Sequence, residues 1–172
     1  KSLETIDLSP CVKLTKIGGS AFSGCAKLKS VNLSGCAELI GIAKGYDYCE
    51  AFKGCASLET VNLSGCAKLA KLEKTTFQNC GKLKSINLSG CIGLTEIDER
   101  AFNDCASLGS IDLSPCAKLT KIGNGAFYGC ASLGSVNLSG CGEITEIGRE
   151  AFYNCKSLET IDLSPCVKLT KI

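Results

Sequence analysis

Residues 105–130 read CASLGSIDLSPCAKLTKIGNGAFYGC, a stretch that holds one complete unit of a repeat. Its apolar positions are Cys105, Leu108, Ile111, Leu113, Cys116, Leu119, Ile122, Ala126, Phe127 and Cys130. Working outward, the same pattern recurs along the chain. One row of cysteines stands at Cys11, Cys36, Cys66, Cys91, Cys116, Cys141 and Cys166, and a second at Cys25, Cys55, Cys80, Cys105, Cys130 and Cys155. Both rows step by 25 residues except for one step of 30. All six phenylalanines (Phe22, Phe52, Phe77, Phe102, Phe127 and Phe152) keep this rhythm, and none lies outside it.

A 25-residue unit cannot bury its own apolar side, whereas stacked copies make a continuous core of like side chains. The two-residue period of a strand puts Ile111 and Leu113 on one face, and Leu119-x-x-Ile122 then returns across the stack. Ala126-Phe127 with its polar neighbours suits one turn of α- or 3-10 helix, closing the coil at Cys130. The expectation is a β-rich solenoid of the α/β type over residues 1–172, one continuous array of about seven coils. A parallel sheet is expected on one face and short helical turns on the other. At a strand spacing of about 4.8 Å the rod would be only ~30 Å long.

At these residues the chain resembles the leucine-rich repeats. Their L-x-x-L-x-L-x-x-C signature stands here as Leu28, Val31, Leu33 and Cys36 and in its copies. The added I-G-x-x-A-F-x-x-C, as in Ile122-Gly123 to Cys130, resembles the BspA-like (Treponema-type) repeats of bacterial and protist surface proteins. The cysteine spacing also resembles the cysteine-containing repeats of F-box proteins, but the Ala-Phe pair favours the first. One departure stands out: residues 43–50 put eight residues where other units have three. The resemblance implies a rod with a sheet on one face, used for adhesion or partner binding, at the cell surface or outside the cell.

Composition narrows the chemistry. The 172 residues include no His, Met or Trp, and the formal net charge is only +2. Without histidine there is no Ser-His-Asp or Cys-His arrangement, and the near-neutral balance gives no basic patch for nucleic acid. No apolar run approaches the length of a membrane span, and no signal-peptide core or initiator Met is present, as expected for a segment of a longer polypeptide. Acidic residues fall in repeating rows rather than in a unique pair, so no enzyme, catalytic residue, cofactor or metal is expected.

Residues 1–17, KSLETIDLSPCVKLTKI, return unchanged as residues 156–172, although other copies drift freely. This points to a higher-order repeat of about 155 residues, with homogenisation of neighbouring repeats or a consensus design as the alternative. Neither end carries a polar capping unit, so either the coils continue or subunits stack end to end, and the partner expected first is the chain itself.

The 14 cysteines admit three readings. Buried thiols acting as small apolar groups suit the regular rows best. Inter-coil disulfides stay open for some neighbours, and metal ligation is disfavoured by the absence of C-x-x-C spacing and of histidine. Cys49 stands outside both rows, in a loop with Tyr46, Asp47 and Tyr48, and that loop is a candidate contact site.

The outward strand positions carry small polar groups. A row of Asn32, Asn62, Asn87, Asp112, Asn137 and Asp162 (with Asp7 ahead of it) is flanked by Ser and Thr on both sides. This polar sheet face is a candidate site for a glycan or for a host or matrix protein, although it lacks the Trp, Tyr and Arg anchors typical of protein interfaces. Asn32, Asn62, Asn87 and Asn137 each begin an N-x-Ser sequon and are candidates for glycosylation. Where Asp replaces Asn, Pro replaces Gly three residues on: Asp7 with Pro10, Asp112 with Pro115 and Asp162 with Pro165. The expected function is therefore structural, an extracellular rod extending into a filament-like assembly, with a binding module of the adhesin or receptor type as the alternative.

Overall fold

The computed structural model describes residues 3–43 and 49–172. Its described strands, numbered in chain order, fall in two rows. The odd-numbered row holds β1 (Thr5–Asp7), β3 (Ser30–Asn32), β5 (Thr60–Asn62), β7 (Ser85–Asn87), β9 (Ser110–Asp112) and β11 (Ser135–Asn137). The even-numbered row holds β2 (Lys16–Ile17), β4 (Gly41–Ile42), β6 (Lys71–Leu72), β8 (Glu96–Ile97), β10 (Lys121–Ile122) and β12 (Glu146–Ile147). All pairing is parallel, and each residue pairs with its own repeat counterpart: Val31 with Val61, Ile111 with Val136, Ile122 with Ile147. The even row forms one six-stranded sheet, so the solenoid carries sheets on two faces rather than on one.

The apolar motif is the core. Each of its ten positions from Cys105 to Cys130 is at most 2% exposed. A strand of three residues buries only its middle side chain, which is why Ile111 is inside while Ser110 and Asp112 face solvent. The phenylalanines form a continuous stack, with ring centroids 5.2 to 5.6 Å apart and planes within 15° of parallel. Burying such a ring is worth about 1.5–3 kcal/mol. The five extra residues of the long unit leave this register intact: Asn32 pairs with Asn62, Ile42 with Leu72, and Phe22 stacks on Phe52.

The third face is not helical. Around Ala-Phe the chain makes hydrogen-bonded turns, such as Cys130 N–H to the Phe127 carbonyl at 3.2 Å. Alternate amides there donate to the next coil: Phe102 to Ala126 at 2.8 Å and Asp104 to Tyr128 at 2.8 Å. Apart from Phe52, each Phe has a residue of positive φ on either side, and polar residues adopt it: Arg100 (53°), Asp104 (59°), Glu150 (58°) and Asn154 (60°). A right-handed helix cannot accommodate such residues, so inter-coil bonding displaces the expected helical turn.

The odd-numbered row is broken once, and proline marks the place. The sheet runs β1-β3-β5-β7, and β9 pairs only with β11. At Gly35, Gly65 and Gly90 the turn glycine has φ of 75 to 80°, unlike Gly140, and the first two donate their amides to the next coil: Gly35 to Ser64 at 2.8 Å and Gly65 to Ser89 at 2.7 Å. Proline cannot take positive φ. Changing that sign at the third residue of a tight turn swings the central peptide over, as between type II and type I turns. The Ser114 carbonyl, next to Pro115, accordingly points at Gly140, where a Cβ would lie 2.1 Å from it. Gly90 is left without that acceptor.

Candidate functional site

The polar sheet face is built by the strand ends. In every coil the Asn or Asp Oδ1 accepts the amide of the Ser two residues on: Asn62 from Ser64 at 3.1 Å, Asn87 from Ser89 at 3.0 Å, Asp112 from Ser114 at 3.0 Å, Asp162 from Ser164 at 2.9 Å. Two asparagines also reach along the stack: Asn32 Nδ2 donates to Asp7 Oδ1 at 3.1 Å and Asn137 Nδ2 to Asp112 Oδ1 at 2.9 Å. The Ser9 hydroxyl and amide hold the Asp7 carboxyl below its usual range, with Asn32 adding to them. These side chains therefore fix the strand-end turn first. What remains for a ligand is a regular, uncharged or weakly acidic surface.

The ladder cysteines are free thiols, and the inner ones other than Cys116 each have a specific bond. Cys36, Cys66, Cys91 and Cys141 donate Sγ–H to the carbonyls of Leu8, Leu33, Leu63 and Leu113 one coil back, at 3.2 to 3.3 Å. In the other row Cys55, Cys80, Cys105, Cys130 and Cys155 donate to the carbonyls of Phe22, Phe52, Phe77, Phe102 and Phe127, at 3.1 to 3.2 Å. Burial pushes the thiols of Cys66, Cys91, Cys116 and Cys130 up to about 12, with neighbouring cysteines adding to it. These thiols are held protonated, unsuited to nucleophilic attack or metal binding. Among the described residues no cluster of His, Cys, Asp or Glu could hold a metal ion.

Of the contact-loop residues, Tyr46, Asp47 and Tyr48 lie outside the described residues. Cys49 is half-buried. Burial raises its thiol, and the carboxylates of Glu73 and Asp98 raise it further. Beside it Lys71 bonds Asp98 at 2.8 Å and Glu96 at 2.9 Å. Burial opposes the charge on Lys71, but these two carboxylates outweigh it and hold the amine above the usual lysine range. The rows of mixed charge meet as one-coil ion pairs, such as Lys84–Glu59 and Lys168–Glu143, each at 2.7 Å and exposed.

A further site appears on the turn face. The chain has only two arginines, Arg100 and Arg149, and both line one open groove of about 490 Å³. Asn103 and Tyr128 form part of its wall, and the Tyr128 ring stacks on Tyr153 at 5.1 Å. No row of the repeat announces this site. Its signal in the sequence is departure from the repeat: Gly125 stands where the other coils carry a side chain, Arg100 and Glu150 in the adjacent ones.

The family model for the BspA type leucine rich repeat region matches six copies, over residues 1–89 and 47–172. The chain belongs to the BspA-type leucine-rich repeat proteins. Solved structures agree on the fold of this BspA-type chain. A leucine-rich repeat protein of T. pallidum is 25% identical, with a TM-score of 0.64 over 84% of this chain and 72% of that one. A leucine-rich repeat protein of Bacteroides ovatus is 28% identical, with a TM-score of 0.64 over 87% of this chain and 41% of that one. One from Eubacterium ventriosum is 29% identical, with a TM-score of 0.55 over 73% of this chain and 29% of that one. This chain thus spans less than half the length of the latter two. No curated protein matches it in sequence. Among the described residues, no helix is long and apolar enough to cross a membrane.

Proposed function

We propose that this chain is a non-catalytic structural segment, an extracellular or surface-displayed rod whose coils continue into a filament-like assembly. One observation carries the reading. The 17-residue sequence shared by residues 1–17 and 156–172 uses opposite faces in its two places. As residues 1–17 it bonds to the coil after it: Leu8 N–H to the Asn32 carbonyl at 2.8 Å, and the Ile17 carbonyl to Ala43 N–H at 2.8 Å. As residues 156–172 it bonds to the coil before it: Thr170 N–H to the Thr145 carbonyl at 3.0 Å, and the Lys171 carbonyl to Ile147 N–H at 2.9 Å. One sequence therefore supplies both sides of a junction, and a single copy placed between two units would bond to both. The surface location follows the family resemblance and is part of the same reading. Electron microscopy of native material tests it: the reading expects rods with an axial spacing of about 4.8 Å. Discrete particles without end-to-end continuity at any concentration would overturn it.

A second reading is a binding module of the adhesin or receptor type. It is favoured by two places where the repeat is broken, the 43–50 loop and the arginine-lined groove. Replacing Tyr46 and Tyr48 by Ser separates the two. Loss of adhesion from an intact rod supports the binding module, and loss of lateral bundling alone supports the structural one. Glycans on the sequons would sit best at Asn62 and Asn87, because the amides of Asn32 and Asn137 are engaged by Asp7 and Asp112.

A further inference from the structure

We infer that the groove on the turn face is a binding site for one unit of a neutral, hydroxyl-rich saccharide. The groove is a gap in a regular surface. Where the neighbouring coils project the side chains of Arg100 and Glu150, Gly125 (φ 58°) projects none, and the space beside it is open to Arg100 and Tyr128, each 3.6 Å from where a Cβ would stand. The notch so formed is about 490 Å³ and open to solvent along one side, large enough for a pyranose ring and its hydroxyls.

The chemistry of the walls selects the ligand class. Asp104 and Asn124 stand on its walls with Arg100 and Arg149, all planar groups with paired hydrogen-bonding atoms. Such pairs match two adjacent hydroxyls, as guanidinium and carboxylate match one another. Asn103 is buried, with its Oδ1 accepting from Gln78 Nε2 at 2.6 Å and its Nδ2 donating to the Tyr128 carbonyl at 3.3 Å, so the groove floor is held rigid. Tyr128, backed by Tyr153, supplies an aromatic face at the edge, where the C–H side of a sugar packs.

Charge argues against the other classes. The two arginines face Glu99, Asp104 and Glu150, and each arginine already lies near its own acid: Arg100 Nη1 4.0 Å from Glu99 and Arg149 Nε 3.3 Å from Glu150. An anionic ligand would meet these carboxylates, a cationic one would meet the guanidiniums, and an apolar one would strip water from both. A neutral polyol exchanges its water for these groups at least cost. The site is independent of whether the rod extends into a filament.

The test is a titration of the isotopically labelled chain with the neutral sugars cellotetraose, maltotetraose and mannotetraose, and with 3′-sialyllactose alongside as an anionic comparison, read by amide chemical shifts. At least one neutral sugar is expected to move the amides of Asn103, Gly125 and Gly129 in a saturable way. Gly125→Glu fills the notch with the residue that Glu150 already places at this repeat position with φ 58°, and its Cβ would meet only ordinary contacts at 3.6 Å, so the coil is retained. It is expected to weaken the response at least tenfold, about the loss of a good polar contact. Tyr128→Asn, which copies Asn103, is expected to act in the same direction and serves where the first variant misfolds. The inference is overturned by silence of all three sugars, by an unchanged response in both variants, or by a response confined to 3′-sialyllactose, which is anionic.

Discussion

Cys66 donates its Sγ–H to the Leu33 carbonyl at 3.3 Å, and the same oxygen accepts the Cys36 amide from its own coil at 3.1 Å. Each turn carbonyl has two lone pairs. The local turn satisfies one, and the thiol of the next coil satisfies the other. Cysteine fits this position because it is apolar enough to be buried and still donates one bond.

Removing such a thiol should cost both packing and a bond. Cys91→Ala is expected to lose about 1–2 kcal/mol of stability, whereas Cys11→Ala, at an exposed position, should change it by less than about 0.5 kcal/mol. Urea unfolding of the two variants checks the difference, and equal effects would contradict a role in coil-to-coil bonding.

The thiols also predict a pH dependence. In the unfolded chain they ionise near 9, while burial holds several in the fold up to about 12. Their neutral form is thus favoured by folding, so the contribution is fully present below pH about 9 and is lost as pH rises from there toward 12. Each such thiol should lower stability by about 1.4 kcal/mol per pH unit in that window. Denaturation midpoints measured at pH 8, 9 and 10 should be flat over the first interval and fall over the second. A Cys66→Ala, Cys91→Ala double variant should fall less steeply.

The break in the sheet should be visible in hydrogen exchange. Gly35 and Gly65 donate their amides to the next coil, and Gly90 faces the turned Ser114 carbonyl. The Gly90 amide should therefore exchange faster than the other two. Asp112→Asn together with Pro115→Gly should slow it and join β7 to β9, a gain of about one hydrogen bond (~1 kcal/mol). An unchanged rate would show that proline is not the cause.

The ion-pair rows should matter little. Lys84 and Glu59 are exposed at 64% and 42%, and Lys84→Met is expected to shift stability by at most about 1 kcal/mol. Phe77→Ala, which interrupts the buried ring stack, should cost about 3–5 kcal/mol. Thermal unfolding of the two variants side by side would show which face holds the coils together.

Much of this was legible from one unit. The positions of Leu108, Ile111, Leu113 and Phe127 predict their own burial, because a repeat of fixed length stacks like on like. What the sequence conceals depends on the neighbouring coil. Ala126-Phe127 reads as a helical turn until the inter-coil acceptors impose positive φ at Arg100 and Glu150. The paired change of Asn to Asp and Gly to Pro looks like drift within one turn. Its effect falls on the coil before, at Gly90. The groove escapes a search for motifs, since it is opened by the absence of a side chain at Gly125.

The central claim is that one 17-residue sequence can bond on both faces at once. It is tested most directly by a chain in which residues 18–172 are repeated after residue 172, with amide exchange measured at Leu163. That residue is the counterpart of Leu8, whose amide donates to the Asn32 carbonyl. The account predicts that Leu163 becomes as protected as Leu8 in the present chain, within one unbroken rod. Rapid exchange at Leu163, with two separately folded units, would contradict it.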